Sequence, residues 1–235
     1  VKTKIRLLLI LLVAVALTLG SISPSLADDG TALDGAGYKS WKYANTVVAT
    51  FTPAKRYEGW ILESGENTNM GGLIDISKTT FILGDDAQNK QYRSILSFDT
   101  STLPDTAVVT GVTLRIRQHK LIGTNPFATH GNILIDIVKG FFGRNVALRA
   151  GDFQAVPGKA GIGVIRNNPD PNLWFTATLS QLAYPFINPL GVTQLRLRFQ
   201  KDDNNDNSAD FIKFVSADST VFSDVPLLEV MYYVP

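Results

Sequence analysis

Apolar and polar side chains alternate with a period of two in stretch after stretch, and nothing else constrains this chain's fold as strongly. Val112, Leu114 and Ile116 alternate with Thr113, Arg115 and Arg117, and Leu195, Leu197 and Phe199 with Arg196 and Arg198. Successive side chains of a β-strand point to opposite faces, so the pattern predicts strands with one dry face and one wet face. Ile133, Ile135 and Ile137 are interleaved with Leu134, Asp136 and Val138, which predicts a strand covered on both sides over part of its length.

Further β-rich runs occur at 46–51, 59–63, 79–83, 91–98, 173–179, 210–216 and 227–234, with Gly, Asn, Asp and Pro between them. Many short strands with such punctuation predict an all-β, antiparallel jelly-roll β-sandwich. Helix signals are thin: Ser180 can cap one short turn through Gln181–Tyr184, which Pro185 is expected to stop. Residues 151–172 read as a long Pro- and Gly-rich surface loop with one short strand at 162–166. No strand–helix alternation suggests a parallel sheet.

The amino-terminal residues bear on compartment. Lys2, Lys4 and Arg6 precede a predominantly apolar run from Leu7 to Leu19, and Ser25-Leu26-Ala27 supplies small residues ahead of Asp28. This is the layout of a secretory signal; the run is shorter than the roughly 20 apolar residues of a spanning helix. The expected division is a cleavable signal helix at 1–27, a lead-in at 28–57 that includes a first strand, and a β-sandwich at 58–235. The alternative is an uncleaved membrane anchor.

An exported chain is free to use disulfides, but this one has no cysteine. Packing, with a bound metal as a second means, must hold it together. The leader carries three of the 22 basic residues and none of the 21 acidic ones, so residues 28–235 are slightly acidic. That balance does not favour a nucleic-acid partner, and after signal cleavage no membrane association is expected.

Two blocks carry a resemblance. The first runs from Gly71-Gly72 through Thr80-Phe-Ile-Leu-Gly84 and Gln91-Tyr-Arg-Ser-Ile-Leu-Ser-Phe-Asp-Thr-Ser-Thr-Leu-Pro104 to Gly111-Val-Thr-Leu-Arg-Ile-Arg117. The second is Phe211-Ile-Lys-Phe-Val-Ser216, closing with Pro226-Leu-Leu-Glu-Val-Met-Tyr-Tyr-Val-Pro235. Together they resemble the DNRLRE-type domain over roughly residues 59–235. The resemblance implies a jelly-roll sandwich of secreted prokaryotic proteins, grouped with carbohydrate-binding modules that include binders of uronic-acid polymers. Much of the signature also makes sense as a folding device, because Asp99, Thr100 and Ser101 can satisfy backbone groups at a turn before Pro104.

Three sets of residues are candidate sites. The segment Lys201-Asp-Asp-Asn-Asn-Asp-Asn-Ser-Ala-Asp210 packs hard oxygen donors between two strands. Calcium takes six to eight oxygens, so Asp202, Asp203, Asn205 and Asp206, with Asp85 and Asp86 from a second acidic turn, are candidate ligands of a structural Ca2+. Glu63 and Glu66 join them if the first strand lies beside these loops. The alternative is a solvated Asn/Asp turn, since the EF-hand Gly and Glu are missing. Arg115, Arg117, Arg196 and Arg198 are expected on wet faces, and if their strands share a sheet the four guanidiniums form one surface suited to carboxylated sugars. The alternative there is an ordinary sheet face with cross-strand ion pairs to residues such as Asp136. Trp174, in a strand that alternates with Thr176 and Thr178, is a candidate sugar-stacking aromatic, with Trp41, Tyr43 and Tyr184 as further candidates; the alternative for each is burial, and Trp60 reads as core.

Catalytic motifs are sparse. Only two histidines, His119 and His130, occur, in different surroundings, and no His-Glu-x-x-His, Gly-x-Ser-x-Gly or phosphate-loop pattern occurs. The sequence therefore predicts a secreted, non-catalytic module that binds extracellular polysaccharide or cell-surface glycan with a structural calcium ion. The alternatives are a self-assembling surface subunit, a homo-oligomer of this chain, and a polysaccharide lyase or hydrolase on the same scaffold.

Overall fold

A computed structural model describes residues 46–235. The expected signal helix, most of the expected lead-in, and the candidates Trp41 and Tyr43 lie outside the described residues. Twelve strands are present among the described residues: β1 Val47–Phe51, β2 Gly59–Glu63, β3 Gly71–Asp75, β4 Thr80–Asp85, β5 Gln91–Asp99, β6 Val108–Ile122, β7 Ile133–Lys139, β8 Lys159–Ile165, β9 Trp174–Thr178, β10 Val192–Phe199, β11 Asp210–Val215 and β12 Leu227–Tyr233. The one α-helical turn among the described residues, α1, spans Pro126–Thr129.

Every pairing is antiparallel, and the principal strand order is β1-β12-β6-β11-β4-β5-β10-β7-β8, with β2 and β3 added beside β5 and β9 added beside β6. The long β6 links β12 and β9 to β11. Its first part pairs with β12 and β9, and residues from Gln118 to Ile122 pair with β11 across a bulge. A bulge increases local twist and bends the ladder. The result is a curled, all-antiparallel sheet, as in a generic β-sandwich.

The alternating residues decide its inside. Leu114, Ile116, Leu195 and Leu197 are each 0% exposed, whereas Arg115, Arg117 and Arg198 on the alternate positions retain solvent contact. Phe175 and Phe214 pack edge to face at 5.6 Å, Phe81 stacks on Phe214 at 5.4 Å, and Phe127 lies between Phe175 and Phe199 at 5.4 and 5.2 Å. Each fully buried aliphatic or aromatic side chain contributes about 1.5–3 kcal/mol.

A second, smaller apolar cluster lies apart from this core: Ile61, Ile95, Phe142, Leu148 and Phe153. Ile61 and Ile95 project from β2 and β5, while the other three belong to the segment between β7 and β8. That segment covers part of the sheet's other face. Its cover accounts for the doubly covered reading of β7.

Two local expectations change. Residues Gln181–Phe186 form a 3-10 segment that contains Pro185 instead of stopping before it. Hydrogen bonds at its ends run from Ala183 N to Ser180 O and from Ile187 N to Tyr184 O, and neither needs a proline N–H. Ser180 makes no side-chain cap. Strand β3 was not legible, because Gly71-Gly72 is poor strand sequence. Glycine is required there by close approach: a Cβ at Gly71 would collide with the Ala150 carbonyl oxygen.

Candidate functional site: an arginine cleft

On the face opposite the Leu195–Leu197 core, β5, β7 and β10 bring Arg93, Asp136, Arg196 and Arg198 together. Asp136 and Arg196 are direct cross-strand partners. Arg196 donates to Asp136 Oδ2 from Nη2 at 2.9 Å and from Nε at 3.2 Å, and Arg198 Nε reaches the same oxygen at 3.3 Å. Gly161 N donates to Asp136 Oδ1 at 3.0 Å. Burial alone would raise the Asp136 pKa, but the Arg196 hydrogen bond and the charges of Arg198 and Arg196 outweigh it, so the carboxyl is held below its ordinary value.

The three arginines do different work. Arg196 is 4% exposed, and its Nη1 also donates to the carbonyls of Asp152, Phe153 and Ala155 at 3.0, 3.1 and 2.7 Å. Its fork is spent on tying the β7–β8 segment to the sheet. Arg93 donates to Gln91 Oε1, Phe153 O and Asn69 Oδ1, and its guanidinium lies 3.9 Å from the centre of the Phe153 ring. Burial, then the charges of Arg196 and Arg198, push the Arg93 pKa down to about 10. Arg198 is partly exposed, and among the described residues only its Nε has a hydrogen-bond partner. Its two terminal nitrogens remain for a ligand.

These groups line a cleft of about 340 Å³ with Asn69, Gln154, Ala155, Val156, Pro157 and Ala160. Val156 is 87% exposed at its edge, so an apolar wall stands beside the cations. Three guanidiniums face one carboxylate, leaving an excess of positive charge. Such a site suits a planar anion with an apolar face beside it.

The expected four-guanidinium surface does not form. Along the sheet, β11, β4 and β5 separate β6 from β10, so the curl carries the two arginine pairs apart. Arg196 was expected on a wet face; it is buried because the β7–β8 segment covers it. Arg117 forms an ion pair with Asp224 and donates to Asn172 O. Arg115 lies 5.0 Å from the centre of the Trp174 ring. Trp174 is half-buried and belongs with Arg115, away from the cleft. Trp60 is 9% exposed, and Tyr184 lines an apolar groove elsewhere. Sequence reasoning missed Arg93 and Asn69. The available signal was Ile95 next to Leu96: a strand apolar on both faces is covered twice, and an arginine in it must be held by the cover.

The acidic loop is largely occupied with itself. Asp202 Oδ1 accepts from Asp203 N, Asp203 Oδ1 from Asn205 N, and Asp206 Oδ1 from Ser208 N. Asn205 and Asn207 take left-handed φ values of 58° and 56°, which asparagine tolerates. Asp86 Oδ1 accepts from Gln88 N and Lys90 N, and its Oδ2 pairs with Lys90 at 3.3 Å. Asp202, Asn205 and Asp206 are exposed, whereas Asp85 and Asp203 are buried beneath them. Among the described residues, no three His, Asp or Glu side chains gather as a ready metal cage.

No protein-family model matches this chain, and neither does a curated protein. The DNRLRE pattern is therefore a likeness of motifs.

Proposed function

We propose that this chain is an exported, non-catalytic jelly-roll module that binds an acidic extracellular polysaccharide, with the Arg93–Arg196–Arg198 cleft taking a uronate carboxylate. One observation carries the reading: Arg198 presents an unspent fork at the edge of a cleft whose cationic charge exceeds its anionic charge. Arg196 and Asp136 act as positioning residues that fix the fork, and Arg93 adds charge. The apolar wall at Val156 and Pro157 suits a sugar ring better than a bare anion. The leader-like sequence at 1–27 and the DNRLRE-like motifs are consistent with this reading.

The test is affinity electrophoresis of residues 28–235 through gels containing alginate or polygalacturonate, against gels with neutral glucans. Wild-type protein is expected to be retarded by the acidic polymers, and Arg198→Ala to lose about tenfold or more in affinity, the scale of one charge-assisted hydrogen bond. Arg115→Ala, on the other arginine pair, should bind as wild type. Equal retardation of Arg198→Ala, or none of the wild type, removes the proposal.

A second reading, a self-assembling surface subunit, has its own observation. Strand β3 pairs only with β2 among the described residues, and Met70, Leu73 and Ile76 on and beside it are 56%, 62% and 42% exposed. An edge with exposed apolar side chains is a template for another strand. Concentration-dependent association in sedimentation, lost in Leu73→Lys, favours this reading; a monomer at all concentrations removes it.

A further inference from the structure

Four carboxyl groups are buried in the described structure at or beside the acidic loop: Glu63, Asp85, Asp203 and Asp210 are 4%, 0%, 7% and 1% exposed. Burying ionised carboxylates is costly unless each oxygen is matched. Most are. Glu63 accepts from Asn69 N and Gln91 N, and Asp210 from Thr124 N and the Asn204 side-chain amide. One is not: Asp85 Oδ2 is fully buried without a hydrogen-bond partner.

The ladder shows where that oxygen's side chain faces. Gln91, Asp85 and Asp210 lie in one row across β5, β4 and β11. Directly paired residues of an antiparallel sheet project from the same face. The two neighbours both reach the acidic loop, Gln91 Nε2 donating to Lys201 O at 3.3 Å and Asp210 Oδ2 accepting from Asn204 at 3.1 Å. Asp85, between them, therefore faces the underside of the same loop. Asp203 is the buried carboxyl that the loop sends down toward this row. Asp202, Asn205 and Asp206 around it are exposed, so Asp203 is the loop carboxyl turned toward the protein.

We propose that this corner is a calcium site, with Asp85 Oδ2 and Asp203 as charged ligands and the neutral oxygens of the 201–209 loop and water completing the shell. Two carboxylates are enough, because calcium accepts amide and backbone carbonyl oxygens in a shell of six to eight. The site lies at the base of the loop, inward of the exposed Asp202, Asn205 and Asp206. The competing neighbour is His130, whose Nε2 lies 3.2 Å from Asp85 Oδ1 but is not aligned for a hydrogen bond. Its Nδ1 is 2.6 Å from the Thr129 hydroxyl. The contact with Asp85 involves Oδ1 and leaves Asp85 Oδ2 without a partner among the described residues.

The experiment is calcium titration of the chelator-stripped protein without polysaccharide, so its outcome is separate from that of the arginine cleft. Calorimetry is expected to show one site. At about 100 times Kd, calcium should raise the melting temperature by roughly 5–10 °C over the chelated protein. Asp203→Asn should weaken calcium at least about tenfold, and Asp206→Asn at the loop tip should leave it unchanged. Asp85→Asn tests the second ligand, and Asp203→Asn, on a loop instead of in a ladder, keeps the test meaningful if that protein does not fold. Absence of heat and of a melting shift in the wild type overturns the proposal. So does unchanged affinity in Asp203→Asn.

Discussion

Arg196 and Asp136 face each other across the β7–β10 ladder, and one carboxylate oxygen receives two hydrogen bonds from one guanidinium. Both residues are buried, and the same guanidinium holds three carbonyls of the segment between β7 and β8. Arg196 is therefore the bolt between sheet and cover.

Arg196→Ala should cost about 3–5 kcal/mol, the range for breaking a buried pair while leaving one charge behind. Arg196→Lys should recover little of it, because a single ammonium cannot reach Asp136 and three carbonyls in fork geometry. Urea unfolding measures both. A loss below about 1 kcal/mol in Arg196→Ala, the scale of an exposed pair, would show that the pair is not buried in solution.

Glu58 sets a pH dependence. It is 1% exposed, Oε1 accepts from Ala217 N at 2.5 Å, and Oε2 has no hydrogen-bond partner among the described residues. Burial, against the opposing Ala217 hydrogen bond, raises its pKa from 4.5 to about 8. Between those values the folded chain holds a proton that the unfolded chain has released. This contribution to stability is full below about pH 4.5, declines as pH rises, and is gone above about pH 8, a change of a few kcal/mol at most. Glu58→Gln should flatten that slope. Unfolding free energies at pH 5 and pH 8 that differ equally in wild type and Glu58→Gln would refute the assignment.

The period-two residues made the core legible: Leu114, Ile116, Leu195 and Leu197 are all fully buried, and nearly every β-rich run is a strand. Alternation states which side chains share a face of one strand. It does not state which strands are neighbours, and the supposed four-arginine surface failed on that point. Strand order arises from pairings between distant segments, such as β10 with both β5 and β7. The acidic loop shows the same limit. Its composition announced oxygen donors, but only the Gln91–Asp85–Asp210 row separates donors spent on turns from the one left without a partner. Arg93 was hidden because its role depends on the covering segment, whose path no local pattern gives.

Gly84 tests that row from the backbone side. It stands opposite Phe211 in the β4–β11 ladder, next to the Asp85–Asp210 pair, with φ at +126°. L-residues rarely adopt that φ, and holding one there costs about 1–3 kcal/mol. A Cβ would also collide with the Asp210 carbonyl oxygen and lie 2.7 Å from Phe211 Cα. Both are backbone atoms of a paired strand, so relief requires opening the ladder, an overpacking penalty of about 1–3 kcal/mol more. Gly84→Ala is thus expected to lose about 2–6 kcal/mol in urea unfolding. Hydrogen exchange should quicken first at the β4 and β11 amides around Asp85 and Asp210, before the β7 and β10 amides. Exchange that quickens evenly over the whole sheet would mean the strain is not confined to this pairing, and a stability within about 0.5 kcal/mol of wild type, as at an ordinary surface site, would mean the positive φ is not held in solution.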